Sequence, residues 1–448
     1  MKVKAVKSIK GKVVLPGDKS ISHRAALLAA IAEGETRIEN FASSADCAST
    51  LACLRKLGVE IFREKSDVYI KGVGKRGFRK SPEMLDCGNS GTTVRLLSGI
   101  LAGQSFESVL VGDESLLKRP MKRIIEPLTR MGARIESCEN RLPLRIFGKS
   151  PLQSITYKMP TASAQVKSCI LLAGLLANGK TSVIESFQSE TTACEINPDG
   201  AISITRDHTE RMLKWFGVKI DEKQTELGNV FSIDGREKLI AKNLRVPSDI
   251  SSAAFFLIAA SCLKGSEISI KNVGLNPTRT AVIEVLQRFG ANIEVINQSE
   301  ICNEPIGDLR ISGNEKFALS SGENKIDGKI ISNLIDEIPV LAILGTQVEG
   351  GLEVRHAQEL RVKESDRIKA VVENLRRMNA EVEEFTDGFR VKKSKLKGAK
   401  IDSFGDHRIA MAFAVAALLA EGETEIIGAE CVNVSFPEFF EILESVKS

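Results

Sequence analysis

The chain has 448 residues, 43% hydrophobic and 27% charged, with a formal net charge of +4. That length predicts roughly three domains, with two large ones also allowed, and the composition is that of a soluble globular protein. The near balance of charge argues against a nucleic-acid or membrane-surface partner, and no apolar run reaches the roughly 18 residues that span a bilayer.

At the N-terminus, residues 1–14 alternate Lys with Val and lack the apolar core of a signal peptide. Nine cysteines are scattered without a C-x-x-C pair; the closest two, Cys47 and Cys53, are six apart. The expectation is reduced, buried thiols in a cytoplasmic protein with no zinc site.

In chain order, one pattern recurs six times. A polar loop opens a helix rich in small apolar residues, and a turn and a β-rich run follow. The first copy spans 20–40, with a helix predicted over 24–32, a turn at Glu33-Gly34 and a strand over 36–38. The second opens at Asn89-Ser90-Gly91, the third at Ser163, the fourth at Ser251, the fifth at Asp336 and the sixth at His407. These starts lie 69 to 88 residues apart, too far for a solenoid repeat. In most copies a second helix ends in a shared signature, first at Leu54-Arg55-Lys56-Leu57-Gly58-Val59-Glu60-Ile61 and again over 128–135, 213–220 and 286–293; the copy at 375–382 has Asn379 in place of Gly. The Gly or Asn reads as a left-handed helix stop, and the alternation after it as a strand.

Each repeat is therefore an α/β unit: helix, strand, helix, then two strands. The sixth copy stops after the helical run 436–446, so the strand-like segment 3–15 is expected to complete it. The repeats divide three and three. One lobe takes 16–243, and the other takes 1–15 plus 244–448. A ligand is expected between them, as small-molecule sites commonly lie between domains.

The loops that open the repeats carry the charge. Asp18-Lys19-Ser20-Ile21-Ser22-His23-Arg24 puts two cations at a helix start, an anion-binding arrangement. Asn89-Ser90-Gly91 allows close backbone approach, and Lys118-Arg119-Pro120-Met121 supplies another cation ahead of a helix. Ser163-Ala164-Gln165-Val166-Lys167, Arg206-Asp207-His208-Thr209-Glu210, Asp336-Glu337 and Asp406-His407-Arg408 follow. In Arg361-Val362-Lys363-Glu364-Ser365-Asp366-Arg367, the spacing of Ile368, Val371, Val372, Leu375 and Met378 predicts a helix over 368–378. Its N-terminal dipole disfavours Lys363 and Arg367, and a bound phosphate or carboxylate would relieve that. Glu364, between the cations, would be held ionised. A solvated charged turn is the alternative for this stretch alone. The recurrence of such loops favours a small polyanion held by converging helix N-termini, with Asp336 and Glu364 placed for proton transfer. The histidines show no H-x-x-x-H pair, so no metal site is expected; they read as hydrogen-bonding residues at helix starts. Cys87 reads as structural.

Together these motifs resemble the 5-enolpyruvylshikimate-3-phosphate synthase family over essentially the whole chain, in the right order. The resemblance implies a two-lobed enolpyruvyl transferase fold of six β-α-β-α-β-β units. It implies transfer of the enolpyruvyl group of phosphoenolpyruvate to the 5-hydroxyl of shikimate-3-phosphate with release of phosphate, a step toward chorismate and aromatic amino acids. No cofactor is implied, and the expected partners are the two small-molecule substrates of a monomeric enzyme, with no nucleic acid or membrane.

Carried over by motif, Lys19 would touch both substrates. Ser20 and Arg24 would hold the shikimate carboxylate side. Ser163, the Ala164 backbone and Arg206 would take the shikimate phosphate, with Gln165 near the ring and phosphoenolpyruvate. Asp336 and Lys363 would bind the reacting hydroxyl region. Gly91, Arg119, Arg367 and Arg408 would hold phosphoenolpyruvate, and Lys19, Asp336 and Glu364 would be catalytic.

The sequence also departs from part of the family. Glu359 stands where many members have Asn, and Ala164 where plant and enterobacterial members have Ser. Asn433-Val434-Ser435-Phe436-Pro437 lacks a lysine those members carry. With Ser22-His23-Arg24, this resembles the second, more glyphosate-tolerant class, although Gly91 is retained where strongly tolerant members carry Ala. The polar segment 187–204 is longer than family norms and reads as a surface excursion. The related nucleotide-sugar transferases want a catalytic Cys in the 116–121 loop, which has none.

Overall fold

The computed structural model describes residues 1–186, 205–313, 324–328 and 330–448; the predicted excursion at 187–204 lies outside the described residues. The chain divides into two compact domains. The N-domain comprises Gly17–Val246 with Glu300–Glu304, and the C-domain Met1–Pro16, Pro247–Ser299 and Pro305–Ser448. Each has its own hydrophobic core. No helix of the described residues is long and apolar enough to cross a membrane.

Among the described residues, besides the short helices Glu114–Leu117 and Ile330–Leu334, each repeat supplies two longer helices. In the N-domain these are α1 (Lys19–Ile31) and α2 (Ala45–Lys56), α3 (Gly91–Ala102) and α4 (Lys122–Arg130), then α5 (Ala164–Gly174) and α6 (His208–Trp215). In the C-domain they are α7 (Ile250–Cys262) and α8 (Ala281–Arg288), α9 (Ile338–Gly345) and α10 (Arg367–Arg377), then α11 (His407–Leu419) and α12 (Phe439–Ser445).

The first helix of each pair is small and apolar because it is buried all round. Every residue from Ile21 to Ile31 in α1 is buried, as is every residue from Ile250 to Ser261 in α7. Gly99 lets α3 lie directly on α5: a Cβ there would sit 2.3 Å from the Cys169 carbonyl oxygen. The second helices instead bury one stripe, as α10 does through Ile368, Val371, Val372 and Leu375. The shared stops behave as their residue types require. Gly58, Gly132, Gly217, Gly290 and Asn379 all have φ between +64° and +101°.

Five sheets share one four-stranded order. A leading strand runs parallel to the strand after the first helix, which then pairs antiparallel with the last strand of its repeat. In the second repeat, Leu85–Asp86 lies against Glu107–Val111, then Arg141–Phe147 and Arg134–Cys138. The sequence alone did not reveal an exchange of leading strands. Lys10–Val13 precedes α1 but pairs with Glu267–Gly274 of the fourth repeat. Leu244–Arg245 precedes α7 but pairs with Glu33–Glu39 of the first. That pairing carries the N-domain to Val246, past the expected break at 243. The N-terminal strand Lys2–Lys4 pairs antiparallel with Glu423–Ile427 and so fills out the sixth sheet.

Two local expectations are corrected. Helix α1 begins at Lys19 rather than 24, because Asp18 caps it, accepting from the Ile21 amide at 2.9 Å. No turn separates it from the next strand: Glu33–Glu39 is continuous strand, with Gly34 at φ +110° inside it.

Candidate active site

Three helix starts in the N-domain are capped alike. Asp18, Ser90 and Ser163 each accept from the amide of the third residue of α1, α3 and α5. Side chains then tie these starts together. Lys19 Nζ lies 2.8 Å from Asp46 Oδ2 in the first turn of α2. Arg24, buried one turn into α1, donates to Thr209 Oγ1 (2.7 Å), Ser168 Oγ (2.9 Å) and the Ser20 carbonyl (2.9 Å). Arg119 precedes α4 and donates to Asn89 Oδ1 at 3.0 Å. Gln165 accepts from Arg95 (2.8 Å) and donates to Thr92 Oγ1 (3.0 Å).

Lys19, Ser20, Arg24, Gly91, Arg119, Ser163, Ala164 and Gln165 are thus gathered in one domain. Arg206 lies two residues before α6, whose Thr209 is held by Arg24. Beneath them runs a buried seam: His23 Nδ1 to Thr50 Oγ1, Thr50 to Thr93 Oγ1, and Thr93 to Ser90 Oγ, each 2.7 Å. Burial, then the nearby Lys19 and Arg24 charges, push His23 well below its ordinary pKa, so it is a neutral hydrogen-bonding residue. His208 Nδ1 lies 2.7 Å from Glu304 Oε1.

The C-domain gathers the remaining candidates around Arg367. Its buried guanidinium reaches Asp406 Oδ2 at 2.8 Å through Nε. Glu364 Oε2 lies 2.6 Å from Nη2, and Asp336 Oδ1 lies 3.4 Å from Nη1. Burial alone would depress the Arg367 pKa, but Asp406, Glu364 and Asp336 outweigh it and raise it. Arg408 donates to the Asp336 carbonyl at 3.3 Å and lies 3.6 Å from Glu337, while Lys363 lies 3.7 Å from Glu359.

Two expectations for this stretch change. Asp366 caps α10, which runs from Arg367 to Arg377 rather than over 368–378. Carboxylates of the protein itself already compensate Arg367. Arg361, first in the motif, pairs with Asp366 and Glu384 instead.

A family model described as EPSP synthase (3-phosphoshikimate 1-carboxyvinyltransferase) matches residues 3–443. The chain belongs to the EPSP synthase family. The 3-phosphoshikimate 1-carboxyvinyltransferase of Koribacter versatilis is 49% identical over 448 residues, covering 100% of this chain and 99% of the relative. That of Bacillus licheniformis is 47% identical over 450 residues, with the same coverage. Among solved structures, an EPSP synthase from Acinetobacter baumannii matches with a TM-score of 0.84 at 42% identity, covering 99% of this chain and 97% of that one.

Set beside the EPSP synthase motifs, the structure adds residues that sequence reasoning missed. Asp46, paired with Lys19, follows a capping Ser44, an acidic first turn the sequence displays. Arg95 is a lone cation in the apolar run Val94-Arg95-Leu96-Leu97, one turn after Gly91. Asp406 was visible as the residue before His407, but its pairing with Arg367, 39 positions away, was not. Cys87 is fully buried with its pKa raised by the Cys53 thiol and by burial, so it is no nucleophile.

Proposed function

We propose that the chain transfers the enolpyruvyl group of phosphoenolpyruvate to the 5-hydroxyl of shikimate-3-phosphate and releases phosphate, acting as a monomer in the cytoplasm. The observation that carries this reading is the gathering of Lys19, Arg24, Gly91, Arg119, Ser163 and Gln165 at or near the starts of α1, α3, α4 and α5 in a chain that matches the EPSP synthase family over residues 3–443.

The assignments follow the physics of each group. Ser163, the Ala164 backbone and Arg206 take the shikimate phosphate at the α5 start, where amides and dipole favour an anion. Ser20 and Arg24 serve the shikimate carboxylate side, and Gln165 the ring and phosphoenolpyruvate. Gly91, Arg119, Arg367 and Arg408 hold phosphoenolpyruvate, whose carboxylate and phosphate suit guanidinium forks. Asp336 and Lys363 hold the reacting hydroxyl region.

The reaction adds the 5-hydroxyl oxygen to C2 of phosphoenolpyruvate while a proton reaches its methylene carbon. The resulting tetrahedral ketal then loses phosphate and a methyl proton. Glu364 is the acid and base at that carbon. Beside Arg367 its carboxylate is favoured, which suits removal of the methyl proton. Arrival of the phosphoenolpyruvate charge raises its proton affinity, which suits delivery. Lys19 serves both substrates as a proton donor and charge partner.

Mixing the purified protein with both substrates tests the reading. Phosphate release and a product with a new enol ether carbon signal are expected. A folded protein that releases no phosphate at saturating substrates overturns it.

A further inference from the structure

Lys167 lies one turn beyond Ser163 in α5, and none of its side chain is exposed. Its Nζ is 3.0 Å from Glu185 Oε1 and 2.6 Å from Glu210 Oε1, both buried, and 4.3 Å from the centre of the Phe231 ring. Glu185 ends the strand Lys180–Glu185, and Glu210 sits in the first turn of α6. Glu185 also accepts from the hydroxyl of Thr205, twenty positions along the chain and adjacent to Arg206. One ammonium therefore joins the helix that begins at Ser163, the end of a strand, and the segment that carries Arg206 into α6.

Burial alone would lower the Lys167 pKa, but the two carboxylates outweigh it, so the ammonium stays charged. Such a buried cluster is a poor source of net stability, since well-packed apolar residues often do as well. The contacts within such a buried network fix the directions of the groups that make them.

We propose that Lys167, Glu185 and Thr205 are positioning residues that hold Arg206 in register with the α5 helix start for the phosphate of shikimate-3-phosphate. The proposal rests on the assignment of Arg206 to that phosphate. Lys167 and Glu185 are too buried to touch substrate; they act through Arg206.

Thr205→Val is the informative variant, because it removes one hydroxyl donor and leaves the ion cluster in place. It should raise KM for shikimate-3-phosphate about tenfold, the scale of a lost charge-assisted hydrogen bond. Turnover and KM for phosphoenolpyruvate should stay within about twofold, as for sites that do not couple. Thr205→Ser, which keeps the donor, should restore KM. Lys167→Met should show the same split more strongly if it folds. A Thr205→Val protein with unchanged KM for shikimate-3-phosphate, where Arg206→Ala raises it, overturns the positioning role alone. An equal rise for both substrates overturns it too, since that marks a general structural defect. If Arg206→Ala itself leaves that KM unchanged, the assignment of Arg206 fails and this inference falls with it.

Discussion

Both domains place cations at helix starts, yet they surround them differently. In the N-domain, Arg24, Arg95 and Arg119 donate to hydroxyl, amide and carbonyl oxygens of Thr209, Ser168, Ser20, Gln165 and Asn89. In the C-domain, Arg367 meets Asp406, Glu364 and Asp336, Arg408 lies near Glu337, and Lys363 near Glu359. A neutral acceptor orients a guanidinium without cancelling its field, so such a site still attracts an anion. A carboxylate partner cancels the field but gains a cation that tunes its own proton affinity. The contrast is one of degree, since Lys19 in the N-domain also meets a carboxylate, Asp46, at 2.8 Å. On the proposed reading the guanidinium contacts of the N-domain orient groups for binding, while Lys19 and the carboxylates around Arg367 bear on proton exchange. The carboxylate pairing also explains why the cationic stretch around Arg367 needs no bound anion for its own stability.

Glu364→Gln should break the comparison most severely. It keeps the shape and a hydrogen bond to Arg367 but carries no exchangeable carboxyl proton. Turnover should fall about 10²–10⁴-fold, the usual loss of general acid–base catalysis. Shikimate-3-phosphate affinity should barely change, because the residues assigned to it lie mostly in the N-domain. Turnover and thermal denaturation are measured on one preparation. A folded variant with turnover within a few-fold of wild type would remove Glu364 from the chemistry and leave Lys19 and Asp336.

Arg206→Ala tests the binding half. Loss of a charge-assisted hydrogen bond is worth about 1.5–3 kcal/mol, so shikimate-3-phosphate should bind roughly 10- to 150-fold more weakly by calorimetry. Phosphoenolpyruvate parameters should move much less. Equal losses for the two substrates would assign Arg206 elsewhere.

Gly91→Ala should act more gently on phosphoenolpyruvate. A Cβ at position 91 would lie 2.6 Å from Arg95 Nη1 and 3.2 Å from Arg119 Nη1. Both atoms end flexible side chains, so they yield rather than unfold the protein. The cost is set near the low end of overpacking, about 1 kcal/mol, or about fivefold in the KM for phosphoenolpyruvate. An unchanged KM would show that neither Arg95 nor Arg119 had to move against that substrate.

Much of the fold was legible because its signals are local. Gly58, Gly132, Gly217, Gly290 and Asn379 mark helix stops by backbone sterics alone, and six polar loops before small apolar helices mark six repeats. The exchange of Lys10–Val13 and Leu244–Arg245 was illegible for the opposite reason. Each pairs with a strand more than 200 positions away, and nothing in a short strand names its distant neighbour. The site divides in the same way. Lys19, Ser163 and Glu364 stand in helix-start motifs and could be singled out. Their partners could not all be: the Lys19–Asp46 and Arg367–Asp406 pairs depend on packing across the core.

The smallest effect concerns the neutral character of the N-domain seam. His23 is buried with its pKa well below 6.5, first because of burial and then because of Lys19 and Arg24. In the unfolded chain it takes a proton near 6.5. Between its folded pKa and 6.5 the unfolded state therefore binds more protons, so stability rises with pH across that window. The stabilising contribution is complete above 6.5 and is lost as pH falls, by up to about 1.4 kcal/mol per pH unit. His23→Asn keeps a short polar group for Thr50 but does not titrate. Denaturant unfolding of both proteins at pH 7 and pH 5.5 isolates the term, since other groups titrate alike in each. The wild type should lose more stability on acidification than the variant, by about 1 kcal/mol. Equal losses would mean that His23 accepts its proton in the folded state, and that the seam beneath Ser90 and Gly91 is charged after all.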